Sequence, residues 1–128
     1  MTRELQHRLL RIAWLCMLGC VVVGSLLPSN SRPKRALDAL DVNDKLEHFL
    51  AYSALAFLPA LHEKKPVAAL LAVAIALLGV GLEFGQVLFS DRLFELWDIA
   101  AGTAGVLCGF VAATQLRPRL AKVAWSHV

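Results

Sequence analysis

Charge is scarce in this chain: 18% of its 128 residues are Asp, Glu, Lys or Arg, against 58% that are hydrophobic. A disordered chain needs the reverse balance, and an average water-soluble domain carries about 25% charged residues, so neither class describes it. Cysteine is limited to three, an odd number that paired disulfides do not explain. Cys16, Cys20 and Cys108 fall within apolar runs, where a thiol is expected to act as a small buried hydrophobe. There is no HExxH or close His pair, no Walker loop, no dinucleotide fingerprint, no internal repeat and no low-complexity tract. Ser53 and Ser90 lack a nucleophile motif. What remains is a chain of mean hydropathy +0.61 whose main solvent is lipid.

Stretches free of Asp, Glu, Lys and Arg cover residues 12–31, 48–62, 66–82 and 99–116. A helix crossing the hydrocarbon core needs about 20 mostly apolar residues, within about 17–25. Tolerating single polar residues, the expected spans are 9–27, 46–61, 67–89 and 96–116, the second being short. In lipid every backbone group must be satisfied internally, so these runs read as helices. The expectation is a single all-α domain over residues 1–128, a four-helix transmembrane bundle. Pro66 suits the first turn of the third helix, and Leu37, Leu40 and Val42 suggest a short surface helix in the first loop.

Arg3, Arg8, Arg11, Lys64, Lys65, Arg117, Arg119 and Lys122 lie on one side of such a bundle, 8 cations against 5 on the other, Arg32, Lys34, Arg35, Lys45 and Arg92. The richer side is expected to be cytoplasmic, with both termini there. The pI near 9.0 is then explained by positive flanks near anionic lipid, and nucleic acid is set aside as a partner. A cleaved lipoprotein signal at Leu18-Gly19-Cys20 is the weaker reading, because cutting there leaves an apolar stub of residues 21–27.

The residues that interrupt the apolar pattern are the informative ones. Asp44, Lys45, Glu47 and His48 open the second helix, Glu83 and Gln86 lie near the end of the third, Arg92 is in the turn, and Glu95 and Asp98 begin the fourth. In this topology all belong to the outer half of the bundle. Asp44, His48 and Tyr52 share a face at steps of four; Gly79, Glu83 and Gln86 form a second stripe; Glu95, Asp98, Gly102, Gly105 and Gly109 form a third. These stripes are expected to face one another. Glu83 sits about 9 Å below its helix end at 1.5 Å per residue, so pairing with Arg92, Lys45 or His48, or protonation, is expected.

Plainer accounts exist for each. Asp44 can cap the second helix with Glu47 completing a capping box, Asp91 can cap the fourth, and Glu95 can answer its positive end. Gly102, Gly105 and Gly109 suit close helix packing, and Cys16 and Cys20 suit packing alone. His48, Glu83, Arg92 and Asp98 can form an ion-pair network that locks the helices. Nitrogen and oxygen ligation of a divalent metal by Asp44, His48, Glu83 and Asp98 is only weakly signalled, and no metal or cofactor is assigned.

At these residues the chain resembles the VanZ-like family of small polytopic membrane proteins. The matching pieces run from Asp44 through Lys45, Leu46, Glu47, His48, Phe49, Leu50 and Ala51 to Tyr52, then Glu83-Phe84-Gly85-Gln86, then Arg92 and Asp98, with Gly102 and Gly105. They come in the family's order and spacing over residues 44–105, and the ordered set, not any single piece, is specific. Gly102 stands where the family often has Asn. The resemblance implies a bacterial inner-membrane protein of unsettled biochemical activity, from a family named after a member linked to teicoplanin resistance.

Asp44, Lys45, His48, Tyr52, Glu83, Gln86, Arg92 and Asp98 are therefore the expected ligand-binding residues. The expected ligand is an anionic lipid or lipid-linked cell-wall precursor head group, held by Lys45, Arg92 and His48 against apolar walls. One alternative is a hydrolase or transferase acting on a lipid-linked phosphate or sugar, with His48 as acid or base. The other is a structural helix-packing partner of a further membrane protein.

Overall fold

A computed structural model describes residues 2–28, 30, 32, 35, 36, 39 and 43–125, the last four by their backbone. Among the described residues the protein is all-helical, with α1 (Arg3–Leu26), α2 (Asp44–His62), α3 (Lys65–Phe89) and α4 (Leu96–Trp125) and no strand. Leu37, Leu40 and Val42, expected in a surface helix, lie outside the described residues.

Local chemistry sets the helix starts. Thr2 caps α1 by accepting from the Leu5 N–H, and Asn43 caps α2 by accepting from the Lys45 N–H at 2.9 Å. The expected Asp44 cap is thus displaced by one residue: Asn43 holds the extended backbone that a cap requires, and Asp44 is already helical. Pro66 stands in the first turn of α3, where its missing N–H costs nothing. The expected Asp91 cap is also corrected, since α4 begins five residues later at Leu96. That helix continues to Trp125 through Pro118, well past the apolar run.

The outside of the bundle is apolar. Leu88 and Trp97 are 75% and 74% exposed, and Leu70, Leu77, Phe89 and Leu93 stand out with them. Water would not tolerate so continuous a surface, whereas lipid requires it. Three helices, α1, α3 and α4, are long and apolar enough to cross a membrane. The remaining one, α2, is the centre of the bundle and touches all three others. With Leu46 and Leu50 left exposed on one face and the others turned toward protein, it can carry on those inner faces polar residues that a lipid-facing surface cannot. Tyr52, Leu55 and Ala56 of α2 form the main core with Ile75 and Val106, and Ala60, Ala68 and Ala113 form a second core beyond it.

The tightest pair is α2 against α4, which run parallel. A Cβ at Gly105 would collide with the Phe49 carbonyl oxygen, and one at Gly109 with the Ser53 carbonyl oxygen. The glycine stripe therefore serves contact within this chain, backbone against backbone. Tyr52 is clasped between α3 and α4: a Cβ at Gly79 would stand 3.0 Å from its ring, and one at Gly102 3.3 Å. The expected facing of these stripes is what the structure has.

Pro59 interrupts α2. Lacking an N–H, it leaves the Leu55 carbonyl four residues earlier without its helical partner. The indole of Trp14 on α1 fills that place, Nε1–H donating to Leu55 O at 2.8 Å.

At the Glu63 end of the bundle a second polar cluster ties three helices. Arg11 Nε and a terminal guanidinium nitrogen donate to the two Glu63 carboxylate oxygens at 2.8 and 3.2 Å, and Arg117 donates to the Glu63 carbonyl at 2.6 Å. His62 Nε2 stands 3.5 Å from Glu63 Oε1, and its ring lies 6.0 Å from that of His7. The Arg11 hydrogen bond holds the Glu63 carboxyl below its ordinary range, aided by the charges of Arg11, His62 and His7 and opposed by burial. A lowered carboxyl stabilises the fold above its unfolded value, and that stability is lost as pH falls through the lowered one. In Arg11→Gln the decline of the unfolding midpoint between about pH 5 and pH 3 is expected to flatten. An unchanged acid limb would mean that the pair contributes nothing.

Candidate functional site

At the opposite end, α2 and α4 begin and α3 ends, so their polar residues converge. The turn after α3 is shaped by Ser90, whose Oγ donates to the Gln86 carbonyl at 2.7 Å and accepts from the Arg92 N–H at 3.4 Å. This returns the chain across the bundle and places Arg92 over the start of α2, where a guanidinium nitrogen donates to Asp44 Oδ2 at 3.2 Å. Lys45 Nζ reaches α4, 2.6 Å from Glu95 Oε2 and 3.3 Å from Asp98 Oδ1. His48 Nε2 lies 3.5 Å from Asp98 Oδ2, and its ring stacks on that of Tyr52, centroids 6.0 Å apart.

Glu83 departs from expectation. At 1% exposure it is among the most buried groups in the chain, yet its nearest donor is neither Arg92 nor Lys45. The backbone N–H of Glu95 donates to its Oε1 at 2.8 Å. The physical reason is that the α3–α4 turn folds back over the carboxyl and supplies an unspent N–H from just ahead of α4, where the helix end is positive. Glu83 still belongs to the cluster: ligating atoms of His48, Glu83 and Asp98 all lie within 4.8 Å of one another. Gln86 is equally buried, but neither polar atom of its side chain has a hydrogen-bond partner among the described residues, and it lines neither cavity that His48 lines.

Two cavities meet at His48 and Tyr52. The larger, about 270 Å³, lies between α1 and α2 beneath Arg92. Cys20, Val21 and Gly24 of α1 wall it on one side, and Glu47, His48 and Ala51 of α2 on the other. The sequence pointed to a pocket made by the second, third and fourth helices, so the contributions of α1 and Glu47 are a correction. Nothing in an apolar helix marks the face that will border a cavity. Cys20 is also not simply packed: all three cysteines are exposed on the bundle's surface, not buried in it. The smaller cavity, about 10 Å³, is enclosed by His48, Tyr52, Gly79, Glu83, Asp98 and Gly102 among others.

Of the eight expected residues, the structure brings Lys45, His48, Glu83 and Asp98 into one polar cluster with Tyr52 as its floor, and pairs Asp44 with Arg92, which borders the larger cavity beside His48. Gln86 stands aside from it. No protein-family model, curated protein or solved structure matches the chain.

Proposed function

We propose that this chain is a VanZ-like, multi-pass protein of the bacterial inner membrane. Its Asp44 end faces outward, its termini lie in the cytoplasm, and all four helices span, α2 sheltered by the others. In this reading the cavity between α1 and α2 receives the anionic head group of a membrane lipid or a lipid-linked cell-wall precursor.

The observation that carries the proposal is the setting of Arg92. Its side chain is only 13% exposed, Asp44 meets it through one terminal nitrogen, and it roofs a cavity with walls such as Val21 and Ala51. A guanidinium has five N–H donors in a planar fork, suited to a phosphate or carboxylate, and the weak dielectric of such walls strengthens the contact. His48, on the same cavity, adds a ring nitrogen that can donate a hydrogen bond. The cavity borders α1, the helix with no buried residue, so acyl chains can remain in lipid while the head group enters.

The experiment compares binding of phosphatidylglycerol, phosphatidylcholine and a polyprenyl phosphate to the purified protein in nanodiscs. Arg92→Gln is expected to lose about 1.5–3 kcal/mol of binding to the anionic lipids while melting normally. Binding that ignores lipid charge, or survives in Arg92→Gln, would defeat the proposal. A variant that fails to fold would instead favour a purely structural ion-pair network, and Arg92→Lys then separates the two, because it keeps the charge and loses the fork.

A further inference from the structure

We infer that His48, Glu83 and Asp98 form a binding site for one divalent transition-metal ion. The three come from three different helices, and one ligating atom from each falls within a 4.8 Å span. Glu83 and Asp98 are 1% and 3% exposed. Two carboxylates so close and so buried repel each other strongly, and the groups around them answer that charge only in part. Lys45 meets Asp98 from the exposed rim while also holding Glu95, Arg92 is engaged with Asp44, and the Glu83 donor is a neutral backbone N–H. A divalent cation between the carboxylates supplies what is missing.

Geometry gives an independent reason. The contact of His48 Nε2 with Asp98 Oδ2, at 3.5 Å, is long for a hydrogen bond. It is close to the spacing of two ligands on one ion: bonds of about 2.0–2.1 Å in a tetrahedron set neighbouring ligands about 3.3 Å apart. Between the three residues lies the cavity of about 10 Å³. A hole of about 10–15 Å³ holds a single water or ion and nothing larger. It exists because Gly79 and Gly102 present no side chains at its walls.

The surroundings also resemble an outer shell. The Glu95 N–H fixes one Glu83 oxygen, Lys45 Nζ stands 3.3 Å from Asp98 Oδ1, a buried oxygen with no hydrogen-bond partner among the described residues, Oδ2 lies toward His48, and the Tyr52 ring lies nearly parallel to the imidazole. Such partners orient ligands before the ion arrives. One imidazole with two carboxylates suits Zn²⁺, Mn²⁺ or Fe²⁺ better than Mg²⁺ or Ca²⁺, which prefer oxygen alone. Three protein ligands leave a position open, and His48 and Tyr52 also border the larger cavity.

The test needs no lipid ligand, so its outcome is separate from that of the head-group proposal. Full-length protein in detergent is stripped with a chelator and titrated with Zn²⁺ or Co²⁺ alone, following bound metal by mass spectrometry and Co²⁺ coordination by its visible spectrum. One ion per chain is expected, with affinity about 100-fold weaker in Asp98→Asn and in Glu83→Gln and unchanged in Glu63→Gln. Should the site variants fail to fold, X-ray absorption of the metal-loaded wild type decides, with one imidazole nitrogen and oxygen neighbours expected. Substoichiometric binding by the wild type, full binding by both site variants, or sulfur ligation would overturn the inference.

Discussion

Alanine at Gly109, or at Gly105, is expected to cost the protein most of its folded yield. The added methyl carbon would overlap the Ser53 or Phe49 carbonyl oxygen, and the carbonyl carbons behind them would stand only 2.8 and 3.0 Å away. These are backbone atoms of a central helix. They cannot rotate aside as a side chain would, so relief requires α2 and α4 to separate. Overpacking of a rigid contact costs about 1–3 kcal/mol, occasionally more, and here separation also disturbs the Tyr52 clasp and the polar cluster above it. The measurement is the thermal unfolding midpoint in detergent, together with monodisperse yield. Gly81→Ala is the control: a Cβ there meets nothing within 4 Å, and exchanging glycine for alanine in a helix is worth up to about 1 kcal/mol in the favourable direction. Equal midpoints for the three variants would show that α2 and α4 are not in backbone contact.

A second large effect is expected from Trp14→Phe, which keeps an aromatic ring on α1 but removes the indole N–H that meets the Leu55 carbonyl at 2.8 Å. Leu55 is fully buried, so no water replaces the lost donor. An unsatisfied buried acceptor costs about 1–3 kcal/mol, and more where lipid is the surrounding solvent. Since the need for a donor arises from Pro59, the cost is expected to vanish in a Pro59→Ala background, where residue 59 regains the N–H that closes the helical bond to Leu55. A double-mutant cycle on unfolding stability reads the coupling directly. If Trp14→Phe is equally harmful with and without Pro59, the indole contributes packing and not a hydrogen bond.

Much of this architecture was legible because lipid imposes a simple grammar. The third span was expected at 67–89 and the helix is Lys65–Phe89. The first and fourth helices extend beyond the apolar runs, to Arg3 and Trp125, because charge ends a hydrocarbon crossing but not a helix. Periodicity also brought His48, Glu83 and Asp98 toward one another, since steps of three and four fix a face once helix direction is known. What it did not reveal depends on turns and on neighbours. The Glu95 N–H that holds Glu83 comes from the path of the α3–α4 turn, which side-chain charge does not encode. The pairing of Arg11 with Glu63, 52 positions apart, depends on how α1 packs against α2. A proline inside a helix leaves the carbonyl four residues earlier without its N–H, but only the folded chain names Trp14 as the donor that Leu55 receives.

The helix whose start gathers the most polar groups, α2, is synthesised before its closest mate, α4, with the whole of α3 between them. A nascent chain that ends after α3 therefore holds Asp44, Lys45, Glu47 and His48 without the glycine-lined face and the Asp98 carboxylate that later enclose them. Enclosure of the polar start of α2 is therefore expected to come late in folding, once α4 has been made and has joined it.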